Sequence, residues 1–480
     1  VVGSGVVFSS IIFLFYFLPV FLTVYFMLPT TYTKNLFMLL ASLLFYAWGE
    51  PWFVAFMLLM IFSNYGIALV IDPLEGWQRT AATAVGVILN LVALGIFKYA
   101  DFFIQTLNST VLSPPKSIGI LGIPLPLGIS FVAFHSISYL IDISRRKVVA
   151  NRDPLEAAVY LSMFPQLVAG PIVRYNTVYR QLRERRTTMG RASAGMRIFI
   201  IGLAQKVLIA DETARIAESV FSHTQAVTLM EAWLGLAAYT LQIYFDFMGY
   251  SNMAVGLALG LGIRFPRNFR LPYTSRSITE FWRRWHISLS AWFRDYVYIP
   301  LGGNRGSEFR TYANLCTVFF LCGLWHGASW NFVVWGIHHG FFLVIERAGV
   351  SRLLRVVPAT VSWLYAMLVV MSGWVWFRAK DMSGALDMFS GMIGLHGLGP
   401  ISFSTNLTLY PVTLGAMVIG AMLAVTAWDG TKMHLKRYVP LRLQQPVLAA
   451  TDSLIITTFF VLSGFAIAAG SYSPFLYFRF

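Results

Sequence analysis

The chain has 480 residues, 57% of them hydrophobic, 16% aromatic and only 12% charged, with a formal net charge of +15. Soluble domains carry about 25% charged residues, so this composition, with a mean hydropathy of +0.66, excludes a soluble globular protein. Two soluble domains fit the length alone, but apolar runs recur along the chain without a polar block of domain size. One integral membrane domain over residues 6–480 is therefore predicted.

In chain order, Val1-Val2-Gly3-Ser4-Gly5 reads as a linker ahead of the native start. The run Phe8 to Leu28 has neither a basic flank nor a small-residue cleavage site, which predicts a retained span. Asn35 to Trp48 stops at Gly49-Glu50-Pro51, and Phe53 to Ile71 and Ala81 to Phe97 follow. The prolines of Ser113 to Pro126 predict a loop. Leu125 to Ile143 carries His135, and Leu155 to Val173 is cut by Pro165 and by Gly170-Pro171. Further runs are Gly195 to Ala210, Leu229 to Phe245, Tyr312 to Leu324, Asn331 to Ile345, Val361 to Phe377, Leu409 to Trp428 and Leu454 to Ala469. The whole is an all-α polytopic membrane protein of about ten to twelve spans. Broken and short spans imply re-entrant or interfacial helices around a central cavity. Cys316 and Cys322 have neither a disulfide nor a metal-ligand pattern and read as small core residues.

Arginines gather in Ser144 to Arg152, between Arg174 and Arg191, and from Arg264 to Arg310. Short positive loops mark the cytoplasmic side. Such clusters either set topology against anionic headgroups or form a basic vestibule for an anionic substrate. No nucleic-acid partner is implied, because no soluble domain is present to carry a groove-reading element.

The segment Ser277 to Ile299 has the most regular pattern. At about 100 degrees per residue, Phe281, Trp285, Leu289, Trp292 and Tyr296 share one face, with Arg283, Ser290 and Arg294 opposite. Ser277 and Glu280 make a capping-box start, and the periodicity predicts one amphipathic helix along the cytoplasmic headgroup zone. His286 lies at the border of the aromatic face. Upstream, Asp246 places a carboxylate between apolar runs, to pair with an arginine or to orient a histidine.

The strongest candidate is His326. Leu324-Trp325-His326-Gly327-Ala328-Ser329-Trp330 interrupts an apolar stretch with an imidazole and a glycine, preceded by Gly323. Irregular backbone at membrane depth survives only where protein or a wet cavity satisfies it, and an ionisable residue there is a functional candidate. A helix-end histidine bonded to a carbonyl is the plain alternative. His338 and His339 lie about two turns beyond the break, and at least one is expected to face the bundle. No phosphate loop, serine elbow or zinc motif is present in the sequence.

Longer motifs carry a resemblance. They are Asn268-Phe269-Arg270-Leu271-Pro272-Tyr273, Ser277 through Ser290, Trp292-Phe293-Arg294-Asp295-Tyr296 and Pro300-Leu301-Gly302-Gly303-Asn304, with Phe45-Tyr46-Ala47-Trp48, Pro165 through Pro171, Tyr244 through Ser251 and Phe475-Leu476-Tyr477-Phe478 in support. Together they resemble the membrane-bound O-acyltransferase family, within it the bacterial membrane subunits that O-acetylate alginate and other exopolysaccharides. Met248 and Arg479 depart from the alginate pattern and leave the polymer open.

The resemblance implies His326 as the catalytic histidine and His286 as the second catalytic position; Trp285, Arg283, Arg284, Trp325 and Asp246 are the candidate substrate-binding residues. It implies acetyl-CoA as donor substrate, no bound cofactor or metal, a periplasmic acyltransferase partner, an exopolysaccharide acceptor, and location in the bacterial inner membrane. D-alanyl transfer to teichoic acid and a non-catalytic part in polysaccharide export are the alternatives.

Overall fold

Helix starts follow from short polar signals between apolar runs. Thr30 and Thr33 form a reciprocal capping box at the head of Thr31–Gly49. Asp153 caps Pro154–Ser162, which has proline in its first turn, and Ser307 accepts from the Arg310 amide to open Glu308–His326. The structure, a computed structural model, describes residues 7–111, 117–426 and 441–470. The expected linker at residues 1–5, the Phe475–Phe478 motif, Arg479, the end of the Leu409 to Trp428 run and residues 113–116 of the proline-rich loop lie outside the described residues. Among the described residues every regular element is a helix.

Among the described residues five helices are long and apolar enough to cross a membrane: Pro51–Ile71, Gly76–Thr110, Met189–Phe221, Ala359–Arg378 and Ala450–Ala468. Ile12–Met27, Ile129–Ser144 and Pro411–Val425 are shorter apolar helices. Large side chains such as Leu59, Phe62, Val85, Ile88, Leu89 and Val92 are exposed along them, which suits a lipid-facing surface. The protein is an all-α multi-pass membrane protein.

The chain forms two compact units, one of Val1–Met196 with Ala254–Pro266 and one of Arg197–Met253 with Arg267–Phe480. In the first, the ring of Phe164 is surrounded by Phe8, Phe13, Phe17, Phe21 and Phe45. Asn64 and Asn90 exchange amide hydrogen bonds of 3.2 and 2.7 Å between two apolar helices, a polar clasp suited to a membrane interior. The Leu155 to Val173 run breaks as its prolines and glycine predict, into Pro154–Ser162, Phe164–Leu167 and irregular backbone. Buried His135 serves that irregular stretch: its Nε2 accepts from the Val173 amide at 3.2 Å, while Tyr160 donates to the Val173 carbonyl at 3.1 Å.

In the second unit, Glu308–His326 and Trp330–Ile345 form a tight helical hairpin. A Cβ on Gly323 would lie 2.3 Å from the Phe332 carbonyl oxygen, and one on Gly336 would lie 2.2 Å from that of Phe319, so only glycine permits this approach. The hairpin fixes the position of His326, at the end of its first helix.

Three sequence expectations change. Ser277 to Ile299 is not one interfacial helix: it splits into Ile278–Arg284, Ile287–Phe293 and a π turn at Arg294–Tyr298. Its aromatic face does not lie against headgroups, because Phe281, Trp285, Leu289, Trp292 and Tyr296 are all buried within the protein. Cys322 is buried as expected, but Cys316 is exposed and is no core residue. Several runs also extend beyond their apolar limits, Leu229 to Phe245 becoming Leu229–Gly260, because a helix continues through polar residues that tertiary packing satisfies.

Candidate active site

Two buried histidines and the tryptophan between them define the site. His326 is the last residue of its helix, and Gly327 continues in extended backbone. A Cβ at Gly327 would lie 2.2 Å from the Phe332 ring, so the chain must turn at a glycine here. The imidazole is only 4% exposed. Three rings meet it edge-on, Trp335 at 4.8 Å, Trp325 at 4.9 Å and Phe377 at 5.2 Å. This apolar collar restricts water around a group that can carry a proton.

His286 is the hinge between the two halves of the broken amphipathic segment. Its backbone is left-handed, with φ 42° and ψ 54°, a conformation that costs a non-glycine residue about 1–2 kcal/mol and that clusters at functional sites. Asn268 holds the hinge. Its carbonyl accepts from the Ile287 amide at 2.9 Å, and its side-chain oxygen accepts from the Ser288 amide at 3.2 Å and the Ser288 hydroxyl at 2.7 Å. The same oxygen lies 3.2 Å from His286 Nδ1; the Ser288 amide, which can only donate, fixes this end of the Asn268 side chain as the carbonyl, and Nδ2 at the other end donates to Ser251 Oγ at 3.2 Å. Nδ1 therefore carries the proton, and the buried Nε2, with no hydrogen-bond partner among the described residues, is left as an acceptor.

Trp325 joins the pair, its ring 6.0 Å from that of His286 and 4.9 Å from that of His326. Trp285 packs beside Trp374 at 4.9 Å, and Trp374 meets Phe377 at 5.7 Å, which places Trp285 in the aromatic wall. The other expected substrate residues stand elsewhere. Arg283 is exposed; Arg284 donates to Glu280 at 2.6 Å and to Thr274 at 2.9 Å. Asp246 lies 2.7 Å from Lys206 Nζ, which also binds Asp211 at 2.6 Å. The pairing partner of Asp246 is thus a lysine where an arginine was expected.

His339 is fully buried beside Trp335 and Trp282, and His338 meets the Val369 carbonyl oxygen at 2.9 Å, so the pair divides between the interior and a helix contact. Ser402, His223 and Glu231 resemble a hydrolytic triad in composition only. Ser402 and Glu231 both meet His223 at Nε2, at 3.4 and 3.0 Å, whereas a proton relay needs both ring nitrogens.

Three residues important to the site carry no signal in the sequence pattern. Trp335 and Phe377 complete the collar of His326 from other helices. Buried Glu346 accepts from the Ile278 and Thr279 amides at 2.5 and 2.9 Å and from the Thr279 hydroxyl at 2.6 Å. It caps the helix that leads to His286, where a carboxylate also suits the positive helix end. Asn268→Ala is expected to destabilise the protein by about 1–3 kcal/mol, since it strands His286 Nδ1 inside the protein; thermal unfolding in detergent measures this.

A buried histidine thus stands at the break of a helical hairpin in an all-helical multi-pass membrane protein. The comparison with known proteins specifies the class: the model of the MBOAT, membrane-bound O-acyltransferase family matches residues 40–377. The chain belongs to this family and is an O-acyltransferase. A probable alginate O-acetylase AlgI of Azotobacter vinelandii is 40% identical over 513 residues, covering 99% of this chain and 100% of the relative. A probable alginate O-acetylase AlgI of Pseudomonas aeruginosa is 43% identical, covering 93% and 85%. A peptidoglycan O-acetyltransferase of Helicobacter pylori is 37% identical, covering 82% and 80%.

Proposed function

We propose that the chain is an O-acetyltransferase of the bacterial inner membrane. It takes acetyl from a cytoplasmic thioester, acetyl-CoA, and passes it across the membrane for O-acetylation of an exopolysaccharide such as alginate. The observation that carries this reading is the collared His326 with His286 beside the shared Trp325. Relatives named for acetyl transfer to two different cell-surface polymers support acetyl as the group moved.

In this reading His326 is the general base. It removes the proton of an acceptor hydroxyl as the oxygen attacks the thioester carbonyl carbon; the carbon–oxygen bond forms, the carbon–sulfur bond breaks, and the departing thiolate takes the proton from the imidazolium. An imidazole is suited to both halves of this transfer near neutral pH. His286 presents an unprotonated Nε2, which accepts from a hydroxyl and so orients the acceptor. Trp285 and Trp325 shape the apolar wall around the acyl group. The first acceptor is a hydroxyl of a periplasmic acyltransferase partner or of the polymer.

The test is to supply the purified chain in nanodiscs with radiolabelled acetyl-CoA and an acceptor preparation. Label in the acceptor and release of free CoA are expected. Label that moves only from a carrier-protein thioester overturns the donor assignment in favour of the D-alanyl type of transfer. Absence of transfer from either thioester overturns the enzyme reading.

A further inference from the structure

A cavity of about 490 Å³ in the first unit is walled by Arg180, Glu184, Arg185, Arg186, Arg191 and Arg264 among others. Five guanidinium groups thus face one carboxylate. Among the described residues none of the five is in an ion pair. Arg180, Arg186 and Arg264 are exposed and Arg191 is half-buried, whereas Arg185 is only 8% exposed.

Arg185 is held in place on three sides. Its Nε donates to the Tyr25 hydroxyl at 2.8 Å, and its Nη1 donates to Asn35 Oδ1 at 2.6 Å and to the Leu182 carbonyl at 3.2 Å. Those partners are themselves fixed: Tyr25 donates to the Leu261 carbonyl at 2.8 Å, and Asn35 Nδ2 to the Leu182 carbonyl at 3.0 Å. Nη2 is buried and has no hydrogen-bond partner among the described residues. A buried charge without a counter-ion is costly, and an oriented arginine with a spare donor is the arrangement that binds oxyanions. The neighbouring arginines add charge around the same space, whose volume falls within the roughly 300–1,000 Å³ of small-molecule sites.

We propose that this cavity is a binding site for a phosphate group, with Arg185 as its buried floor and Arg180, Arg186, Arg191 and Arg264 as its rim. A tetrahedral phosphate offers several anionic oxygens to converging guanidinium groups, which a single carboxylate does not. The phosphate belongs either to a soluble ligand, such as the phosphorylated tail of a thioester donor, or to an anionic phospholipid headgroup. The proposal stands on the cavity alone and does not depend on the acetyl-transfer reading, since its test measures binding without turnover.

The full chain is placed in phosphatidylcholine nanodiscs and titrated with inorganic pyrophosphate, with a second series in discs containing phosphatidylglycerol. The variant Arg186→Gln/Arg264→Gln removes two rim charges without touching the bonded Arg185, so it keeps the fold and is expected to weaken binding by about tenfold or more. Arg352→Gln/Arg355→Gln, in the exposed positions of Ser351–Val356, removes the same charge and is expected to bind as the wild type does. Pyrophosphate binding that persists in phosphatidylglycerol discs supports a soluble ligand, and loss of it there, in the wild type alone, supports the headgroup. Equal binding by the wild type and the rim variant, or binding of neither pyrophosphate nor phosphatidylglycerol by the wild type, overturns the proposal.

Discussion

Replacing His326 with alanine is expected to lower acetyl transfer by about 10²- to 10⁴-fold, the usual contribution of a positioned proton-transfer group, which corresponds to about 2.7–5.5 kcal/mol of barrier. The loss falls on kcat, because a general base acts on the reacting proton and not on donor binding. The fold should survive, since the hairpin is held by the close approach at Gly323 and Gly336 and by rings that remain when the imidazole is gone. His326→Gln retains a polar side chain at this position without a base of suitable strength and is expected to be equally inactive. The measurement is single-turnover transfer of radiolabelled acetyl by folded protein that still binds donor. Undiminished transfer by His326→Ala removes the base from this residue and directs attention to His286.

Much of this site is legible in the sequence because membranes punish exceptions. An imidazole beside glycines within an apolar run requires a reason, and the hairpin break at His326 and Gly327 falls where that reasoning predicts it. The break at His286 is hidden. The residues from Ser277 to Ile299 keep helical periodicity throughout, and the left-handed turn is made by a histidine, so no glycine or proline marks it. What forces the turn is Asn268, 18 residues upstream, whose backbone and side chain receive the amides of the second helix. Glu346, 68 residues downstream of Ile278, is equally distant in sequence. Periodicity reports on local geometry, whereas these two contacts exist only once the helices have packed. The face pattern nevertheless survives the break, because each short helix buries its own aromatic residues.

The role of Asp246 illustrates the same limit and allows a sharper test. The sequence shows a lone carboxylate between apolar runs but not its cation, which comes from a turn 40 residues earlier. Lys206 is 3% exposed, lies on the π turn Gln205–Ala210, and binds both Asp211 and Asp246. Lys206→Met is expected to destabilise the protein by about 3–5 kcal/mol, since it removes the cation that two buried carboxylates share. Removing the whole cluster reverses most of that loss: Lys206→Met/Asp211→Asn/Asp246→Asn takes out the shared cation together with both carboxylates, and neutral replacement of buried ionic groups is often tolerated. Thermal unfolding in detergent, measured for the single and triple variants, reads the recovery. Activity of the triple variant then separates the two duties open to Asp246. If the carboxylate only completes an ion cluster, transfer returns together with stability, which is the expected result. If it touches substrate, the triple variant folds and stays inactive, and Asp246 joins the proposed site.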